Sequence, residues 1–191
     1  MKYGELTLGQ VEALVNKLGG KDRVLEFLRG GVQIVVKQPG LLCRATTVKV
    51  PGIAKFVVKD HLTAVNVGWI DKNFDQFFRN KQEEDVDDIT LVVSRLEKDS
   101  LDTSILAELG DRAETSLAHL FALLEKQSKG EQGILLTNGY ANIFYIRGTD
   151  GNLWAVSANW NSYDGYWDVE ASSVERPCWW NVGGQVFSRD S

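Results

Sequence analysis

An α+β fold follows from three features of the chain: two short helical patterns at the start, β-branched runs broken by Pro-Gly pairs in the middle, and one amphipathic helix leading into alternating strands. The expected architecture is an N-terminal helical hairpin over residues 1–31 and an α+β domain over residues 32–191. That domain has a β-rich middle, then an amphipathic helix packed on a C-terminal antiparallel β-meander, and any sub-boundary falls near 81–88.

In "LTLGQVEALVNKLGG", Thr7 and Gln10 have the spacing of a capping box, in which hydroxyl and amide satisfy unpaired backbone groups at a helix start. Val11, Leu14, Val15 and Leu18 recur at helical spacing, and Gly19-Gly20 supplies the stop. Asp22 is the expected cap of a second helix carrying Val24, Leu25, Phe27 and Leu28, which Gly30-Gly31 ends.

From "VQIVVKQ" at 32 to "VGWI" at 67, short strands are expected, with turns at Pro39-Gly40 and Pro51-Gly52. Alternation places Thr63, Val65, Val67 and Trp69 on one face of a strand. "DKNFDQFFRN" predicts one or two helical turns capped by Asp71. The acidic stretch "KQEEDVDD" offers Glu83, Glu84, Asp85, Asp87 and Asp88 to a divalent cation, but it lacks the central glycine and alternating ligands of a calcium loop, so a solvated loop is expected. "ITLVVSRL" reads as a strand.

"ETSLAHLFALLEKQSKG" is the clearest helix, with Leu117, Leu120, Phe121 and Leu124 on one stripe and Gly130 after its end. The sheet beyond it is expected to use "GILLTNG", "ANIFYIR", "LWAVSANW", "YWDVEAS" and "QVFSR", with a hairpin at Asp150-Gly151 and a longer turn at "NSYDG". Alternation sends Trp154, Val156, Ala158 and Trp160 one way and Leu153, Ala155, Ser157 and Asn159 the other. If Trp160 faces Trp167, then Ala158 meets Val169 and Val156 meets Ala171, the interleaved pattern of a covered core face. Trp154 and Trp167 therefore belong to the core.

Trp160, Tyr163, Tyr166, Trp179 and Trp180 are the candidate ligand-binding residues. They are rimmed by Asn159, Asn161, Asp164 and Asn181, and flat apolar rings beside polar groups suit a sugar face, a base or a peptide side chain. A loop pinned down by its own aromatics is the competing explanation.

The 191 residues suffice for a buried core, and 43% hydrophobic with 25% charged residues argues against wholesale disorder. Two cysteines, Cys43 and Cys178, make no disulfide framework and are expected to be reduced. The start "MKYGELTLGQ" has no secretory pattern and no stretch reaches the length of a membrane span, so a cytoplasmic location is expected. A net charge of -5 argues against nucleic acid as partner.

Catalytic sets are incomplete. A cysteine–histidine hydrolase would have to combine Cys43 or Cys178 with His61 or His119, and a carboxylate-pair glycosidase would draw on Asp164, Asp168 and Glu170. With two histidines and no thiolate pair, neither a metal nor another cofactor is expected. A helix-turn-helix would use Lys17, Lys21, Arg23 and Arg29, yet Glu12, Asp22 and Glu26 nearly neutralise them.

Taken together, "LTLGQVEALVNKLGGKDRVLEFLRG", "ETSLAHLFALLEKQSKG", "ANIFYIRGTDGNLWAVSANW" and the terminal "VFSRDS" resemble a recurring group of uncharacterised bacterial proteins. The likeness spans both ends and is patchy between. It implies a shared fold and carries over no activity, cofactor or site residue. The expected role is non-enzymatic recognition of a protein, peptide or small ligand through the C-terminal aromatics. A small hydrolase using the carboxylates or a Cys/His pair is the principal rival, and nucleic-acid binding through the hairpin is the third candidate.

Overall fold

The computed structural model describes residues 7–31 and 40–190, and the chain divides into two compact units, Met1–Gln38 and Pro39–Ser191. The expected strand "VQIVVKQ" lies outside the described residues. Among these no helix is long and apolar enough to cross a membrane.

In the first unit, α1 (Leu8–Lys17) begins with the full capping box. The Thr7 N–H donates to Gln10 Oε1 at 2.9 Å, and the Gln10 N–H to Thr7 Oγ1 at 3.3 Å. The second helix, α2 (Lys21–Leu28), starts at Gly20 rather than at Asp22. Gly19 and Gly20 both take φ 90, which only glycine adopts at no steric cost, so the chain turns within two residues and Asp22 falls inside the first helical turn.

The second unit is built on one mixed sheet. Strands β1 (Leu42–Val50), β3 (Val67–Ile70), β5 (Ile89–Leu96), β8 (Asn142–Arg147), β9 (Leu153–Asn161), β10 (Tyr166–Ser173) and β12 (Gln185–Arg189) lie in the order β1-β5-β12-β8-β9-β10-β3, and β7 (Glu114–Thr115) pairs with β8. Of the expected C-terminal meander, β8, β9 and β10 pair antiparallel in order, with Gly151 at φ 78 in the first turn, whereas "QVFSR" leaves it as β12, antiparallel to β5 and parallel to β8. Ala158 meets Val169, and Val156 meets Ala171, as alternation requires. Three parallel pairings make the sheet mixed: β12 and β7 each lie parallel to β8, and β3 lies parallel to β10.

Helix α6 (Leu117–Glu125) covers one face together with α3 (Val58–His61) and α4 (Lys72–Phe77). Phe121, Leu124, Phe144, Val156, Trp167, Val169 and Phe187 are each 0% exposed there. Each such large side chain contributes about 1.5–3 kcal/mol by leaving water. Phe144 and Phe187 stack at 4.3 Å. On the other face α5 (Asp102–Leu109) buries Ile105 and Leu109 against Leu96, Ile143, Tyr145, Ala155 and Val186. Ser157, Asn159, Asp168 and Glu170 lie beyond that apolar cluster.

Three segments depart from expectation. Only Val67–Ile70 of the segment 63–69 is extended, because Asn66 takes φ 54 and interrupts the run; Val65 is buried while Trp69 stays 46% exposed. "GILLTNG" forms no strand. Its Leu135 is held by the Gln127 side chain, which accepts from the Leu135 N–H at 2.8 Å and donates to its carbonyl at 3.0 Å, so a side chain replaces the ladder. The acidic stretch is strand β4 (Gln82–Val86), paired with β2 (Ile53–Val57), rather than a solvated loop. Glu83 turns inward, accepts from the N–H groups of Leu117 and Ala118 at 3.1 and 2.9 Å, and pairs with Lys81 at 2.7 Å. Its charge thus caps α6 alongside Ser116.

Candidate functional site

The candidate site is the part of the sheet that α5 leaves open, and pairing register assembles it. Asp168 lies opposite Asn159, and Glu170 opposite Ser157, all on one face. Across β10 the short strand β3 brings Trp69 beside Asp168. The two carboxylates are two positions apart along the strand, with Val169 between them, so their Cβ atoms stand about 7 Å from each other.

The other wall is β11 (Trp179–Trp180), which pairs with β6 (Ser100–Leu101). Its anchor is Asp102, fully buried, which accepts from Tyr145 Oη at 2.9 Å, the Cys178 N–H at 2.8 Å and Trp180 Nε1 at 2.6 Å. Three donors on one carboxylate satisfy a charge that would otherwise be costly to bury. Burial pushes the Tyr145 phenol far above its ordinary range, and the negative Asp102 adds to this, so Tyr145 stays a donor.

Between these walls lies a cavity of about 210 Å³, lined among others by Tyr140, Asn159, Glu170, Trp179, Trp180 and Asn181. Glu170 is partly buried, and among the described residues it takes part in no hydrogen bond and no ion pair of the sheet face. Burial lifts its carboxyl above the usual range, with Asp71 and Asp168 adding repulsion. Asp168 is lifted too, by burial first; the Asn161 amide opposes this and Asp164 reinforces it. The Oδ1 atom of Asp168 is buried without a hydrogen-bond partner.

The five aromatics singled out in the sequence do not share one surface. Trp179, 70% exposed, and the partly buried Trp180 line the cavity with Glu170. Tyr166 stands at the start of the Asp168 strand, its ring laid on Gly68 and its hydroxyl donating to Asp164 at 3.2 Å. Tyr163 is 95% exposed at the β9–β10 turn. Trp160 points to the helix-covered face, edge-on to Trp167 at 5.3 Å and against Gly130. It packs on the core rather than joining the cleft.

Tyr140 and Trp69 enter the site without having been singled out. The signal for Tyr140 was the turn pair Asn138-Gly139 just before it; none existed for Trp69, whose pairing partner is about 100 residues away. The other candidates are dispersed. His119 commits both ring nitrogens, one to Ser116 Oγ at 2.7 Å and one to the Asp87 carbonyl at 3.1 Å. His61 holds Glu125 at 2.7 Å, and Arg23 of the hairpin is paired with Glu26 at 3.1 Å. No family model, curated protein or solved structure matches the chain.

Proposed function

We propose that the chain is a recognition protein that holds a protein, peptide or small ligand in the cleft between Trp179–Trp180 and Glu170. Glu170 carries this proposal: a carboxylate partly withdrawn from water, lining one cavity with two tryptophans, with no hydrogen-bond or ion-pair partner of its own among the described residues. Such a group costs stability in the free protein and gains its donors from a ligand. A preformed cleft with aromatic walls and a few polar groups is the usual shape of a binding site.

The test is capture of ligand from a native lysate by immobilised wild type, Trp179→Ala and Glu170→Gln. Loss of the captured species in both variants, with melting temperature unchanged or raised, is the expected result. Retention of every species by both variants contradicts the proposal.

Hydrolysis by the Asp168–Glu170 pair is the second function this face supports, because both carboxyls are lifted by burial on neighbouring positions of one face. It would appear as turnover abolished by Asp168→Asn with binding retained.

The setting we infer is a bacterial cytoplasm, supported by two free thiols, Cys43 and Cys178, and by the resemblance of both chain ends to bacterial proteins. Titration of denatured protein prepared without reductant should find both thiols; finding neither contradicts that setting.

A further inference from the structure

We infer that the cleft selects a guanidinium on an aliphatic stem, the side chain of an arginine in a peptide partner. This rests on the cleft being the binding site. The first ground is charge: among the described residues Glu170 is the one carboxylate lining the cavity, and no lysine or arginine lines it. Asp71, which repels Glu170, accepts from the N–H groups of Asn73, Phe74 and Ala171 at 3.1, 2.7 and 3.0 Å, so its own acceptors are taken within the fold. Asp168 adds a third negative charge on the same face. Hydroxyl-bearing ligands could supply hydrogen bonds here, but only a cation relieves the repulsion.

Shape is the second ground. A cavity of about 210 Å³ is smaller than the roughly 300–1,000 Å³ typical of sites for whole small-molecule ligands, and it suits one side chain. The third ground is the walls. The Trp180 indole N–H is committed to Asp102, which fixes the ring, and Trp180 lines the cavity as an aromatic surface suited to a cation. Trp179 carries the aromatic wall outward to solvent, where an aliphatic stem can lie along it. Glu170 and the side-chain oxygens of Asn159 and Asn181 offer several acceptors, which match the forked donors of a guanidinium better than the point charge of an ammonium.

The experiment titrates the whole chain with N-acetyl-arginine amide and with N-acetyl-citrulline amide, its neutral isostere, following the indole resonances of Trp179 and Trp180. These are assigned by their disappearance in Trp179→Ala and Trp180→Phe. The expected result is saturable shifts at both indoles, with the arginine probe at least about tenfold tighter than the citrulline probe. The preference should vanish in Glu170→Gln and persist in Glu175→Gln, an equal charge change at an exposed position.

Equal affinity for the two probes overturns the inference but leaves the cleft as the binding site. Absence of saturable shifts at these indoles also overturns it. The binding site itself then stands if Trp179→Ala still loses the captured species, and falls if that variant retains them.

Discussion

The two faces of β9 and β10 have opposite fates, though the same strands build both. On one face Trp154, Val156, Ala158, Trp167, Val169 and Ala171 are buried in the core that α3, α4 and α6 cover, Trp154 against Phe77 and Phe78. On the other, residues offset by one position, Ser157, Asn159, Asp168 and Glu170, carry polar and charged groups beyond the reach of α5. The covered face holds free energy; the open face holds groups that cost it. A single strand can thus supply a rigid floor and a site together, because alternate side chains answer to different neighbours.

The largest effects are expected on the covered face. Phe121→Ala and Trp167→Ala should each destabilise the second unit by about 3–5 kcal/mol, as large-to-small changes in packed interiors do. Trp167 also loses the bond from its indole N–H to the Gln127 carbonyl, 2.9 Å long. Wild-type denaturation midpoints for either variant would break the distinction between the faces.

Asp102→Ala should come next, at about 3 kcal/mol, because Tyr145 Oη, the Cys178 N–H and Trp180 Nε1 lose one shared acceptor in a buried place. The accompanying loss of Trp180 order, read from its indole resonance, would show that this carboxylate builds the cleft wall. A sharp, unshifted Trp180 signal would show that it does not.

Glu170→Gln should have the opposite sign and a smaller size. The folded-state pKa of Glu170 is raised, so protonation favours the fold; that contribution is present below the ordinary glutamate range and is lost as pH rises through the lifted value. At neutral pH the variant should therefore melt slightly higher than wild type, and the gap should close in acid. A lower melting temperature at neutral pH would mean that Glu170 has a stabilising partner.

Much of the covered face was legible in the sequence because its signals are local. The Asp71 cap, the 117–124 stripe and the Trp160–Trp167 register each depend on residues within a few positions or on one hairpin, as does the Thr7–Gln10 cap in the first unit. Glu83 was not legible as a cap, since its acceptors for α6 lie 34 residues from the helix they serve. The cleft was legible only in part for the same reason. Trp179 and Trp180 reach Glu170 through Asp102, 78 residues before Trp180, and β3 reaches Asp168 by a parallel pairing that no local pattern encodes. Trp160, a candidate binding residue beside a turn, is partly buried, and alternation and Gly130 set it against the core.

The contrast between the faces is tested most directly by measuring stability and ligand capture together in Trp179→Ala and Trp160→Ala. Trp179 is largely exposed and Trp160 packs against Trp167, so the first variant should change stability by less than about 0.5 kcal/mol and abolish capture. The second should lose about 2–4 kcal/mol and, while folded, keep capture. The reverse pattern, with capture lost through Trp160→Ala in a folded protein and kept in Trp179→Ala, would contradict the assignment of recognition to the open face.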